Sequence, residues 1–387
     1  MEEFRAIKRS EMEECLDMWG IVFERVGRGY FPPYFSGDPW YKRAYTRVCS
    51  VDGKIASAVQ ICERKVRVGE AELVMGGIGN VGTYDEYRGR GYSSQLMLDT
   101  VSVMRRHGMD FSVLFTGIHP FYEKALWRSV PQLHLQAEVG SFSRSRHPYH
   151  IRTLNWDSDL PDLQAIYDVF NEGRPLTTVR NDEYWRGYLP QRLGGPESTL
   201  IAELGGKTIG YLSFGYDKPT CWPREIGYLP GHGACVAPLI HEAIARCPEV
   251  EMLSVNLPHE PEILDAIKGV AKKVETREPM GGMFRIINIR SLGQRLLPEL
   301  NRRAVPDGSI SLDTELGSLR LTIKGGKVSL GAENPIRIPV SQLEFFCLVF
   351  GIKGVEDLGL STPERAQEIL LALFPPQKPV FWLADHF

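Results

Sequence analysis

The sequence predicts a mixed α/β and α+β architecture: two tandem α/β units over residues 1–147 and 148–290, then a smaller α+β unit over 291–387. Length is the first ground, since 387 residues exceed one ordinary domain and suit two or three. The second is an internal repeat. Phe4-Arg5-Ala6-Ile7 and Ile151-Arg152-Thr153-Leu154 share one pattern about 150 residues apart, each followed by an acidic amphipathic segment ending in Val22-Phe23 or Val169-Phe170. Val51-Asp52-Gly53-Lys54-Ile55 and Leu204-Gly205-Gly206-Lys207-Thr208 repeat it as hairpin turns, because Asp-Gly and Gly-Gly accept positive φ. The third ground is a change of pattern from about Ile289. Leu319, Leu321 and Ile323 alternate up to Gly325-Gly326, Val328 and Leu330 resume, and apolar helical stretches run from Val340 to Phe350 and Thr362 to Phe374.

In the first unit the most informative stretch is Val81-Gly82-Thr83-Tyr84-Asp85-Glu86-Tyr87-Arg88-Gly89-Arg90-Gly91-Tyr92-Ser93-Ser94. It reads as a strand, a polar turn, and a basic glycine-broken loop opening a helix at about Ser93. A helix start presents unpaired N–H groups at the positive end of its dipole, which suits a pyrophosphate. Gly89 and Gly91 let backbone approach the ligand, and Ser93 keeps the entrance clear. Met97, Val101 and Met104 then recur at helical spacing, Arg105, Arg106 and His107 fill the last turn, and Gly108 ends it. Phe111 to Phe115 reads as a buried strand, and Phe121-Tyr122-Glu123-Lys124 begins another helix.

Gly77-Ile78-Gly79-Asn80-Val81-Gly82 also matches the dinucleotide fingerprint G-x-G-x-x-G. That motif needs a helix starting inside the glycines, whereas Thr83 to Arg90 intervene here. The glycines instead mark an irregular strand where backbone and ligand meet closely.

The second unit departs at the corresponding place. Glu225-Ile226-Gly227-Tyr228-Leu229-Pro230-Gly231-His232-Gly233 keeps glycines but lacks the arginine, and Pro230 removes a donor. This copy is expected to bind no nucleotide and to serve as scaffold or interface.

Composition excludes several classes. A net charge of -3 with no long basic run argues against nucleic-acid binding. Seven cysteines without Cys-x-x-Cys pairing, and histidines without ligand spacing, argue against a disulfide framework or metal site and for a reducing cytoplasm. The charged start has no apolar signal core, and the apolar run near Phe345 to Phe350 is too short to span a bilayer.

The spacing Arg88-x-x-Gly91-x-Ser93 resembles the acyl-CoA pyrophosphate loop of the GNAT acetyltransferase superfamily, with serine at a position that requires smallness. Two GNAT-like units, the second lacking that loop, plus a small α+β unit, resemble the Eis (enhanced intracellular survival) acetyltransferases over essentially the whole chain. Their third domain looks like a sterol carrier protein. The resemblance implies acetyl-CoA as co-substrate, no metal, and a homo-oligomer, with a hexamer as one candidate. It implies that the backbone of Val81, Gly82 and Thr83 holds the pantetheine arm, that Gly89, Arg90, Gly91, Tyr92, Ser93 and Ser94 surround the pyrophosphate, and that Gly117 and Ile118 lie along the second splayed strand. Tyr122 matches the family's general acid, and the terminal carboxylate of Phe387 its general base. The acceptor it suggests is an aminoglycoside-like polycation or a lysine; no residue here selects among amines.

The chemistry fits these residue types. An alkyl amine of pKa about 10.4 must lose a proton to attack a thioester, and tyrosine, at about 10, can protonate a thiolate of about 8.5. A free α-carboxylate, at about 3.3–3.7, needs desolvation to act as base; Phe381, Trp382 and Leu383 are expected to supply it, with Asp385 raising the pKa and attracting a cation. Each assignment has a structural alternative. Tyr122 also suits a core position, the C-terminal aromatics suit simple docking, and Arg88 and Arg90 suit solvated positions. Glu24, Asp38 and Trp40 fall in a segment expected to face the substrate, or alternatively on a solvated acidic surface. A non-catalytic acyl-CoA- or lipid-binding module is the alternative to an enzyme.

Overall fold

The computed structural model describes residues 1–132, 134–142, 146–277 and 280–387. In the first unit β1 (Glu2–Ala6), β2 (Thr46–Val51), β3 (Lys54–Val68) and β4 (Ala71–Thr83) pair antiparallel, and β5 (Phe111–Leu114) adds parallel to β4. Helices α1 (Met12–Val22) and α2 (Pro33–Ser36) precede β2, α3 (Tyr92–Arg106) joins β4 to β5, and α4 (His119–Glu123) leads to β6 (Arg128–Pro131). The parallel pair needs a crossover, and α3 provides it, burying Leu96, Met97, Val101 and Met104.

The second unit repeats the plan. β7 (His134–Val139) is followed by β8 (His150–Thr153), β9 (Thr199–Leu204), β10 (Lys207–Asp217), β11 (Thr220–Tyr228), β12 (Met252–Val255) and β13 (Ala271–Arg277). Between them lie α5 (Trp156–Phe170), α6 (Asp182–Gly187), α7 (Leu189–Arg192), α8 (Val236–Ala245) and α9 (Pro261–Val270). β14 (Met280–Ile286) then returns to the first sheet.

The two sheets exchange a strand. The first runs β1-β2-β3-β4-β5-β14-β6 and the second, read from its far edge, β8-β9-β10-β11-β12-β7-β13. Thus β7 leaves the first unit to pair with β12 and β13, while β14 inserts between β5 and β6. Residues 1–147 and 148–290 each complete the other's sheet, a relation the repeat alone does not disclose.

The third unit starts with α10 (Ile289–Leu300), whose buried Leu292, Leu296 and Leu300 join a core shared with β4 and β5. β15 (Gly308–Thr314), β16 (Gly317–Lys324), β17 (Lys327–Leu330) and β18 (Ile336–Pro339) form a sheet in the order β17-β16-β15-β18, the Gly325-Gly326 turn joining β16 to β17. Helices α11 (Gln342–Val349) and α12 (Glu364–Leu373) cover it, α11 starting at a Ser341–Glu344 capping box. A strap, Pro375 to Phe387, then crosses the second unit and ends on the first sheet. All seven cysteines are buried and unpaired. Among the described residues no helix is long and apolar enough to cross a membrane, and no His/Cys/Asp/Glu cluster suits a metal ion.

Candidate active site

The site is built where β4 and β5 part. Their parallel pairing runs from Met75 opposite Phe111 to Ile78 opposite Leu114 and stops. Beyond it Asn80 adopts a left-handed φ of 54°, and two residues, Asn80 and Val81, face one on β3. This β-bulge bends β4, and Asn80 anchors it by donating to Gln60 at 2.9 Å. Past Ile78 the last residues of β4, including Val81, Gly82 and Thr83, therefore have no partner on β5, whose register with β4 has ended.

At the open end, Gly89 and Gly91 have φ of 77° and 80°, which only glycine takes up without strain. Gly91 caps α3 with no side-chain hydrogen bond, so the first-turn N–H groups of Tyr92, Ser93 and Ser94 are left for an anion. The small Ser93 bonds Thr83 (Oγ–Oγ 2.5 Å), and Thr83 bonds Ser57 at 2.8 Å, tying the loop to the strand. Tyr92 turns its hydroxyl away, to Glu2. Arg88 is exposed beside Asp85 at 2.8 Å, and Arg90 lies over the Tyr87 ring. Helix α3 begins at Tyr92, outside the G-x-G-x-x-G stretch.

Tyr122 is buried in α4 among Leu114, Tyr92 and Trp127. Burial pushes its phenol up to about 12, against a hydrogen bond from Thr116. Gly117 and Ile118 lie beyond the end of β5, in the turn into α4, where the Ile118 N–H donates to Thr116 Oγ1 at 3.0 Å and the Ile118 side chain is exposed.

On the opposite face of β4 from α3 lies the end of the chain. A Cβ on Gly77 would overlap the ring of Phe387, and one on Gly79 would stand 3.3 Å from its carboxyl carbon. A Cβ on Gly82 would touch Trp19 of α1 on that same face, at 3.1 Å. Gly77 and Gly79, two of the three glycines that mimic a dinucleotide motif, thus make room for Phe387. Phe387 packs against Phe115 and Phe381, with centroids 5.8 and 6.0 Å away. The His386 ring stacks on Phe115 at 3.8 Å, and burial pulls its pKa down to about 3, so it is neutral near pH 7.

The residues that hold this strap belong to the second unit. Trp382 donates to Asn171 at 3.1 Å, and the His386 carbonyl accepts from Tyr188 (2.9 Å) and Arg192 (2.8 Å). Arg180 forks both carboxylate oxygens of Asp385 at 3.1 and 2.9 Å and also binds Glu225 of β11. Burial alone would depress the Arg180 guanidinium, but Asp385 and Glu225 hold it well above its ordinary value. Burial pushes the Glu225 carboxyl up.

This geometry corrects two expectations about a cationic substrate. Asp385 is fully buried and committed to Arg180 and Tyr184. Asp38 is buried against Arg64 at 2.7 Å, and Trp40 packs on Tyr184 of the second unit at 4.7 Å, so both belong to the interface between units. Glu24 is exposed and lines an open hollow of about 800 Å³ with Tyr84, Glu86 and Arg88.

In the second unit the counterpart loop packs against a neighbouring helix: a Cβ on Gly233 would collide with the side chain of Glu262 on α9. An apolar cavity of about 180 Å³ lies where the three units meet, walled by Met75, Val113, Phe115, Leu257, Phe284 and Phe381.

Sequence reasoning missed the exchanged strands and Arg180. Nothing in the local pattern of β7 or β14 marks an exchange, because strand pairing across units leaves no trace in it. Arg180 is one of four arginines between α5 and β9, and its partner lies 205 positions away.

A sheet splayed at a bulge, with a glycine-rich loop at an uncapped helix start, is the frame of an acetyltransferase-type fold. Residues 3–129 match the Acetyltransferase (GNAT) domain family. No curated protein sequence matches the chain. Among solved structures it is similar along its whole length to a conserved protein of Enterococcus faecalis V583 described as a probable N-acyltransferase (18% identity, TM-score 0.76, all of both chains covered). It is likewise similar to a GCN5-related N-acetyltransferase of Anabaena variabilis ATCC 29413 (16%, TM-score 0.73) and to Eis1 of Mycobacterium abscessus (13%, TM-score 0.66), again with both chains fully covered. The first unit carries a GNAT acetyltransferase domain, and the architecture is that of tandem GNAT-like units followed by an α+β domain.

Proposed function

We propose that the chain is an acetyl-CoA-dependent N-acetyltransferase, in which the first unit transfers acetyl directly to a primary amine. The observation that carries the reading is the meeting of three features at one splay: the uncapped start of α3, the open edge of β4, and the chain end over Gly79. Acetyl-CoA fits as substrate, its pyrophosphate on the N–H groups from Gly89 to Ser94, with Arg88 or Arg90 alongside, and its pantetheine along Val81, Gly82 and Thr83. Gly117 and Ile118 border the other side.

The amine nitrogen attacks the thioester carbonyl carbon, forming the N–C bond. Its proton passes to the terminal carboxylate, in a chain that ends at Phe387, whose ring is held against Phe115 and Phe381. The C–S bond breaks, and Tyr122, kept protonated by burial, gives its proton to the leaving thiolate. The acceptor is a primary amine. With Asp38 and Asp385 engaged elsewhere, Glu24 is the remaining acidic candidate for a polycation such as an aminoglycoside. The third unit is read as sterol carrier protein-like, and the whole as a cytoplasmic homo-oligomer organised as 1–147, 148–290 and 291–387.

The apolar cavity of about 180 Å³ favours a second reading, a ligand-binding module without turnover. Thiol release from acetyl-CoA, followed with kanamycin, spermidine, Nα-acetyl-lysine amide and tyramine, separates the two. Amine-dependent thiol above hydrolysis supports the enzyme; its absence with CoA binding intact supports the module.

A further inference from the structure

We propose that the second unit is a clamp for the C-terminal strap, and that Arg180 is the positioning residue that fixes where the terminal carboxylate stands. This rests on the reading of that carboxylate as proton acceptor.

The strap is held by a short stretch of the second unit. Val380 N–H donates to the Pro175 carbonyl at 3.0 Å, Trp382 reaches Asn171, Asp385 meets Arg180 and Tyr184, and the His386 carbonyl meets Tyr188 and Arg192. That same stretch is fixed to the first sheet. Leu176 and Val179 donate to the carbonyls of Arg67 and Lys65 on β3, and the Thr177 carbonyl accepts from Arg67. The strap is thus indexed against the sheet that carries Gly79, through the second unit.

Arg180 is the centre of this arrangement. Its guanidinium lies over Tyr167 at 3.9 Å and Trp185 at 4.8 Å, and Tyr211 donates to Glu225 at 2.7 Å, so both carboxylates and the cation have partners. Arg180, Glu225 and Asp385 are all shielded from solvent in the side chain. A buried bidentate pair constrains angle as well as distance, because each displaced oxygen loses a charge-assisted bond without water to replace it. Two residues separate Asp385 from the chain end, a reach of about 7 Å when extended. With the His386 carbonyl also held, only the torsions of Phe387 remain to place the carboxylate. The loop of this unit that corresponds to residues 88–94 lacks the arginine and carries Pro230, and the unit holds a peptide strap instead.

The test uses the full chain and the variants Arg180→Met, Asp385→Asn and Tyr188→Phe. Carboxypeptidase A removes a C-terminal phenylalanine when it is free, so the initial rate of phenylalanine release reports undocking. Calorimetric binding of acetyl-CoA certifies the fold of each variant; should Arg180→Met fail it, the two milder variants carry the test. The clamp predicts slow release from the unaltered chain and release at least about tenfold faster from each folded variant, as expected when a local opening is eased. It also predicts kcat for the best amine of the panel lowered by about tenfold or more, with KM for acetyl-CoA unchanged, since misplacement by about 1 Å costs up to 10²-fold. Release as slow as in the unaltered chain overturns the clamp and leaves the proposed activity standing. Fast release with undiminished turnover overturns the carboxylate as proton acceptor, and leaves the clamp standing.

Discussion

Phe387 occupies the space a side chain on Gly77 would need, so that strand β4 and the end of the chain fit only because position 77 is glycine. The Cα-only backbone of Gly77 is conformationally ordinary; the requirement is one of room. Gly77→Ala should expel the ring, destabilising by about 1–3 kcal/mol as overpacked cores do, and lower turnover by about tenfold or more. Acetyl-CoA binding should persist, because the proposed pyrophosphate loop, 88–94, lies past the Thr83 end of β4 and away from Gly77. Calorimetry and thiol release measured on one preparation check both parts.

Tyr122→Phe removes the hydroxyl and little volume. If this residue protonates the thiolate, kcat should fall by about 10²–10⁴ with the protein still folded. The sign of the pH dependence follows from its pKa of about 12. An acid must be protonated, so ionisation of Tyr122 should not cut activity between about pH 8 and 10. A profile of kcat against pH that falls there with the pKa of a free phenol would count against the assignment.

Gly91→Val tests the loop. A β-branched residue at φ of 80° is strained, and the loop should open away from the start of α3. The Kd for acetyl-CoA should rise by about tenfold or more, a loss of roughly 1.4 kcal/mol. Gly231→Val, at φ of 79° in the second unit, carries the same strain but should leave that Kd unchanged. Equal losses from both would place nucleotide in the second unit too.

His386 gives an acid-linked prediction. Its folded pKa of about 3 lies below the unfolded value of about 6.5, so the unfolded chain binds the extra proton between those limits. Stability contributed here is complete above about pH 6.5 and declines as pH falls through the window. His386→Phe, which keeps a ring against Phe115, should therefore show a smaller drop in Tm between pH 7 and pH 5 than the unaltered chain.

The exchanged strands predict that the first two units do not separate. A fragment of residues 1–147 lacks β14 and would leave β5 and β6 with open edges. It should aggregate or fail to bind acetyl-CoA, whereas the full chain should do neither.

What the sequence disclosed was local or periodic. The loop from Arg88 to Ser94, the α3 helix and the Gly325-Gly326 turn announce themselves because glycine, charge and helical spacing act within a few residues. The repeat at Phe4 and Ile151 announced two similar units for the same reason. Pairings over long separations left no such mark. Asp385 reads as a free acid beside the chain end until Arg180 is folded against it, and Asp38 reads as substrate-facing until Arg64 is found beneath it. Charges in a single sequence carry no record of their partners, so acidic residues near a site are the ones most readily misassigned.

The most direct measurement compares the chain ending at Phe387 with one carrying a single added glycine. Both should bind acetyl-CoA with the same Kd. Amine-dependent thiol release should be present in the first and reduced by about 10²-fold or more in the second, because the carboxylate is moved from its place over Gly79. Equal rates from the two chains would contradict the account of the terminal carboxylate, and no amine-dependent release from either would contradict the acetyltransferase itself.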